Sequence, residues 1–213
     1  MIRQTLNFSA ICLLTLAPAS LYARTIELTD KDADRLAAIA PEAPRLGWAT
    51  YEPAPGMFGN SLLYLRPRVS LLIRVPLDRI PAGSRITKAE WVIRVSAASP
   101  ADARLYIWRI LGEWGAGACY DYRTTKPEPV KWNEPGARGT ASDRAEEPSA
   151  LAACKSNQDV TLNVTEDVEL WHSGAAANEG WMFTVEEEAS LSLLPPAYTT
   201  RGSWKLRITY EPQ

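Results

Sequence analysis

The sequence predicts an all-β sandwich that carries one short N-terminal helix and one long loop closed by a disulfide. Apolar residues recur with period two, as in Val69, Leu71, Ile73 and Val75 and again in Ala89, Trp91, Ile93 and Val95, which is the spacing of half-buried strands. Sixteen prolines and twelve glycines in 213 residues call for frequent turns, while eight Trp, eight Tyr and three Phe supply core volume that a disordered chain lacks. Three cysteines reduce to one pair, Cys119 and Cys154, once a leader containing Cys12 is removed.

Residues 1–23 have the build of a secretory signal: Arg3 at the start, the apolar stretch Phe8–Leu16, then small residues with cleavage after Ala19 or, preferably, Ala23. That apolar stretch is far short of the ~20 residues that span a bilayer, so no membrane span is expected. In an oxidising compartment the simplest reading of Cys119 and Cys154 is one structural disulfide, worth about 4 kcal/mol on a chain-entropy model. Residues 24–57 form an N-terminal segment. Within it 29–40 reads as a helix, with Thr29 as N-cap, Asp30 and Asp32 in the first turn and Pro41 as stop. Residues 58–213 form the sandwich. After the first two strands, separated by the turn Ile80–Ser84, further strands are predicted at 105–111, 158–164, 180–186, 189–194 and 203–210. Between them, 112–157 shows no sustained period and reads as a long loop tethered by the disulfide, and 165–172 reads as a single helical turn capped by Thr165.

The order of short phrases carries more than any one of them. FGN at 58–60, SLLIRVPL at 70–77, IPAGSRITKAEWVIRV at 80–95, Gly112-Glu113-Trp114, VKWNEPGA at 130–137, DVTLNVTEDVELWHSG at 159–174, NEGWMF at 178–183 and RITYEP at 207–212 follow one another. This order resembles the DNRLRE domain, also called the disaggregatase-related module, over roughly residues 58–212. The resemblance implies a secreted jelly-roll sandwich, usually an accessory module beside enzymes acting on polysaccharides. Some relatives are carbohydrate-binding modules for acidic polysaccharide, alginate among them. This chain departs from the pattern in reading as a single module after its leader, and in starting with a helical segment where the family commonly has an extended strand with an acidic residue.

Composition narrows the function classes. With 23 basic against 25 acidic residues there is no excess of positive charge for nucleic acid or an anionic membrane. One histidine leaves little material for a His-dependent triad, and no nucleophile elbow, HExxH or P-loop is present. The chain therefore reads as a non-enzyme. No cofactor is expected; Asp159, Asp167 and Glu169 are the acids that a structural calcium could use.

Sugar binding needs flat apolar rings beside forked or charged polar groups. The long loop offers Tyr120, Tyr122, Arg123, Lys126, Lys131 and Trp132, with Tyr120 and Tyr122 as the preferred exposed pair; Trp114 and Trp132 either join that surface or plug the loop onto the sandwich edge. Tyr198 and Arg201 form a second candidate. Trp91, Trp171 and Trp181 read as packing residues, His172 as a surface or packing residue, and Trp108, sharing a face with Tyr106 and Ile110, stays unassigned. Three readings follow: a secreted module that binds polysaccharide, a structural or adhesive envelope protein that uses the loop to meet another protein, and a small lyase or hydrolase. The partner is a polysaccharide or a cell-envelope component.

Overall fold

The computed structural model describes residues 22–29, 32–42, 44–45, 48–49, 58–59, 62–115, 117–193 and 204–212. Apart from Tyr22 and Ala23, the expected leader lies outside the described residues. The described chain runs β1 (Arg24–Leu28), β2 (Arg35–Ile39), β3 (Trp48–Ala49), β4 (Phe58–Gly59), β5 (Leu62–Leu65), β6 (Ser70–Arg74), β7 (Arg85–Ser99), β8 (Arg104–Arg109), β9 (Tyr122–Thr124), β10 (Val130–Lys131), β11 (Ala150–Ala153), β12 (Gln158–Asn163), α1 (Thr165–His172), β13 (Trp181–Val185), β14 (Ser190–Leu193) and β15 (Trp204–Glu211). No helix among these is long and apolar enough to cross a membrane.

Two antiparallel sheets pack face to face. One has the order β1-β15-β7-β14-β5-β4 with β12 also on β7, and the other β11-β8-β13-β6-β2-β3. Alternate residues of each turn inward as the period-two pattern requires: Ala89, Trp91, Ile93 and Val95 from β7 and Trp204, Leu206 and Ile208 from β15 meet Leu71 and Ile73 from β6, Leu105 and Ile107 from β8 and Trp181 and Phe183 from β13. The centre is aromatic. Trp91 meets the edges of Trp181 at 5.4 Å and Phe183 at 5.6 Å, contacts worth about 0.5–1.5 kcal/mol each beyond their buried area.

The two outer faces differ. Outside the first sheet, Glu27 binds Lys205 and Arg207, Arg94 binds Asp159 and Lys88 binds Glu90, the solvated alternation of an ordinary antiparallel sheet. Outside the second sheet, Ala37, Ile39, Leu72, Ile110 and Met182 are buried beneath Trp114, Ala118, Trp132 and Ala137 of the long loop, forming a second apolar cluster. The loop is thus a third layer. It explains why β6 is buried along Ser70–Ile73 rather than half-buried: its two faces serve two cores.

The same two-sided burial overturns the predicted helix over 29–40. Arg35–Ile39 is a strand, paired from Arg35 with Arg74 to Ile39 with Ser70, and its alternation sends Ala38 to the inner cluster and Ala37 and Ile39 to the outer one. Helix propensity of the Leu-Ala-Ala run is a weak preference that loses to a ladder with both faces covered. Thr29 caps no helix; its N–H donates to the Asp32 carboxylate at 2.7 Å in a tight turn.

The predicted disulfide is also corrected. Both cysteines are free and buried. Cys154 belongs to the inner core, where burial pushes its thiol pKa up to about 11; Cys119 lies in the loop layer, its carbonyl accepting from Trp132 of the outer cluster, so the second sheet stands between them. Packing takes the role assigned to the covalent tether. The helix at Thr165–His172 is present, but Thr165 does not cap it: its hydroxyl accepts from the β7 N–H of Ala89 at 2.9 Å.

Candidate functional site

The loop layer is fastened at three points. Asp143, 1 % exposed, accepts from the backbone N–H of Asn133 at 2.9 Å, Glu134 at 2.9 Å and Gly139 at 3.0 Å, and from the Asn133 side-chain amide at 2.9 Å, gathering residues 133–143 around one carboxylate. Arg35 of β2 binds both the Trp114 carbonyl and, at 3.1 Å, the Glu179 carboxylate, while the Trp114 indole donates to the Glu179 carbonyl at 2.7 Å. Burial raises the Glu179 pKa against the lowering pull of Arg35. Next to it, Gly180 has a positive φ of 79° and lies so close to β6 that a β-carbon would stand 2.2 Å from the Ile73 carbonyl oxygen.

The structure pairs Tyr122 with Lys131 across β9 and β10 but buries two of the predicted sugar-binding residues. Tyr120 is 5 % exposed, its hydroxyl accepting from Arg68 at 3.0 and 3.2 Å, and Trp132 is 4 % exposed, its indole donating to the Cys119 carbonyl at 2.8 Å. The expectation that Tyr120 is exposed is therefore corrected, and Trp132, with Trp114, plugs the loop onto the sheet. Tyr122 and Arg123 on β9 are half-buried, and Lys126 and Lys131 are exposed. Tyr198 and Arg201 lie outside the described residues. Trp91, Trp171 and Trp181 are core residues, as expected.

The residue left unassigned is the one the structure brings into a site. Tyr106 and Trp108 project from the outer face of β8, half-buried, with ring centroids 5.9 Å apart and planes inclined by 15°. Cross-strand pairing sets Leu151 of β11 on one side of Tyr106 and Thr184 of β13 on the other. The Trp108 indole donates to the Thr184 hydroxyl at 2.9 Å, which fixes the ring over the sheet. From the loop layer, Arg144 lays its guanidinium 3.7 Å from the centroid of Trp108. The backbone bonds Leu111 N–H to Asp143 O and Ala145 N–H to Arg109 O, both at 2.9 Å, hold the Arg144 stem alongside the end of β8.

Electrostatically the corner is cationic. Among the described residues no carboxylate pairs with Arg123, Arg138 or Arg144, and Nε of Arg138 is buried without a partner. Burial and the nearby Arg138 charge lower the Arg144 pKa from the ordinary range, with Glu134 opposing them. Guanidinium remains protonated under such shifts; Nη1 of Arg144 donates to the Ala145 carbonyl at 3.1 Å, and stacking on the aromatic face leaves the other in-plane N–H groups to meet a carboxylate. A ring edge, an aromatic face and a cationic fork on one rigid sheet can hold a sugar ring by its C–H face and its acid group together.

Elsewhere the acids named for calcium do not converge: Asp159 pairs with Arg94, Asp167 accepts from the Trp181 indole at 2.7 Å, and Glu169 is exposed. Among the described residues no three His, Cys, Asp or Glu side chains are grouped as metal ligands. His172 is half-buried at the end of α1, on the rim of an open groove floored by Leu77, Ile80 and Pro81. No protein-family model and no curated protein matches this chain.

Proposed function

We propose that the protein is an exported, non-catalytic sandwich module that binds an acidic polysaccharide on the outer face of its second sheet, at Tyr106, Trp108 and Arg144. The observation that carries the reading is the Arg144 guanidinium, stacked 3.7 Å over Trp108 and without a carboxylate partner among the described residues. A cation held in place beside aromatic rings but not neutralised by the protein is suited to an anionic ligand, because its orientation is set before binding. The leader-like residues 1–23 and the phrase order shared with the DNRLRE domain support an extracytoplasmic glycan as that ligand. The start of the described chain adds to this. β1 is extended and carries Glu27, as that family commonly has at its start, and the segment 29–40 read as a helix holds the strand β2.

The test is affinity electrophoresis of the purified protein through gels containing alginate, pectin, xylan or a neutral glucan. An acidic polymer is expected to retard the wild type, and Arg144→Ala and Tyr106→Ala, checked for native circular dichroism, are expected to migrate as in plain gel. Retardation that survives in both variants would place binding elsewhere.

A further inference from the structure

A cavity of about 430 Å³ opens beside this surface, between β11, β12 and the start of α1, lined by Ser149, Leu151, Thr161, Asn163, Glu166 and Asp167 among others. Leu151 belongs to both places. It lines the cavity and stands directly opposite Tyr106 in the β11–β8 ladder. Trp108 follows two residues along β8, and Arg144 covers it. Arg144 and Leu151 lie on the same side of β8, opposite Ile110 and Tyr106, so Arg144, Trp108, Tyr106, Leu151 and the cavity follow one another in a track along that strand.

The two ends of the track differ in chemistry. At the Arg144 end lie guanidinium groups without acid partners; at the cavity end lie the Glu166 and Asp167 carboxylates. Asp167 is occupied, by the Trp181 indole at 2.7 Å and Arg109 at 3.3 Å. Asn163 uses its carbonyl oxygen on Thr165, which leaves its amide N–H groups, the Thr161 hydroxyl and the Glu166 carboxylate without protein partners among the described residues. Those are donors and an acceptor of the kind that sugar hydroxyls use, and the unpaired Glu166 carboxylate repels a second acid group.

We infer that the cavity is a second subsite on the same ligand, taking an uncharged, hydroxyl- or amide-bearing sugar unit while Arg144 takes an acidic one, so that the preferred ligand is a polysaccharide in which acidic and neutral units are mixed. This rests on the reading of Tyr106, Trp108 and Arg144 as a glycan surface. Selectivity comes from charge separation along the track: a purely acidic chain places a carboxylate against Glu166, and a purely neutral chain leaves Arg144 unanswered.

Calorimetric titration with three hexasaccharides tests it: an oligomannuronate, an alternating uronate and N-acetylhexosamine oligomer from hyaluronan, and neutral chitohexaose. The alternating oligomer is expected to bind about tenfold more tightly than the oligomannuronate, the scale of discrimination set by a few hydrogen bonds and one charge repulsion. In Glu166→Lys that preference should shrink or reverse, and in Thr161→Val with Asn163→Ala the alternating oligomer should weaken while the oligomannuronate is unchanged. Equal affinity for the two acidic oligomers, with no effect of the cavity variants but loss in Arg144→Ala, overturns the subsite and leaves the surface reading standing. No binding of any oligomer overturns both.

Discussion

Two buried carboxylates, Asp143 and Asp167, sit in different surroundings. Asp143 accepts from a nest of N–H donors and organises the loop layer. Asp143→Ala would leave three backbone N–H groups unpaired in a closed turn, and is expected to lower unfolding free energy by about 3 kcal/mol or more, read from urea denaturation, because each buried orphan costs roughly 1–3 kcal/mol. Asp167 instead has its pKa raised, by burial first, against hydrogen bonds from Ser149 and Trp181 and the charge of Arg109. With the folded-state value above the unfolded one, its stabilising contribution is fully present below the unfolded pKa and is lost as pH rises through the folded pKa. Thermal unfolding of wild type and Asp167→Asn should therefore diverge with pH: the Tm of the wild type relative to the variant rises on acidification from pH 7 towards the unfolded carboxylate range. Glu27 and Asp34, held low by hydrogen bonds from Lys205 and Arg74 respectively, act with the opposite sign in both proteins and cancel in that difference.

At the scale of elements, the sequence was readable where a strand's inward residues are large and misleading where they are small and both faces are covered. The strands β7, β8, β12, β14 and β15 alternate and, like β13 with both faces buried, were predicted within a few residues. β2 was not, because Ala37 and Ala38 face two different cores and their small side chains, which suit tight packing on both sides, read as helix formers. The long loop lacks a period because its anchors, Trp114, Trp132 and Asp143, are held by contacts distant in sequence. The same blindness produced the disulfide: a pair of cysteines in an exported chain is good grounds for a bridge only when the fold brings them to one side of a sheet. Mass spectrometry should find Cys119 and Cys154 as free thiols, slow towards thiol reagents in the native protein and prompt in denaturant. An intact bridge would contradict the packing. Trp132→Ala removes the plug of the outer cluster and is expected to cost about 3–5 kcal/mol, with hydrogen exchange rising across 112–145 before the inner strands respond. Of the candidate site, the sequence supplied the principle of rings beside cations but placed it on Tyr120 and Tyr122. Trp108 stayed unassigned because neither the face it shares with Tyr106 and Ile110 nor the face of Leu105, Ile107 and Arg109 reads as wet, and only the fold shows that the loop covers Ile110 and stops beside Trp108.

For the molecule as a whole, the contrast between the outer faces decides where function is sought. The first sheet presents ion pairs that neutralise one another; the second carries a third layer whose edge leaves aromatic rings and unneutralised arginines together. A layer added to one side of a sandwich positions a loop cation over a strand aromatic, which neither element achieves alone. The anionic ligand proposed for it should bind with a salt dependence, since the attraction between exposed charges is screened within about 8 Å at physiological ionic strength. The most direct measurement of the central claim is the calorimetric affinity of wild type, Arg144→Lys and Arg144→Ala for one acidic oligosaccharide at low salt. The account predicts binding in the wild type, partial loss with lysine, which keeps the charge but not the planar fork, and loss of about tenfold or more with alanine. Equal affinity in all three proteins, each natively folded, would contradict it.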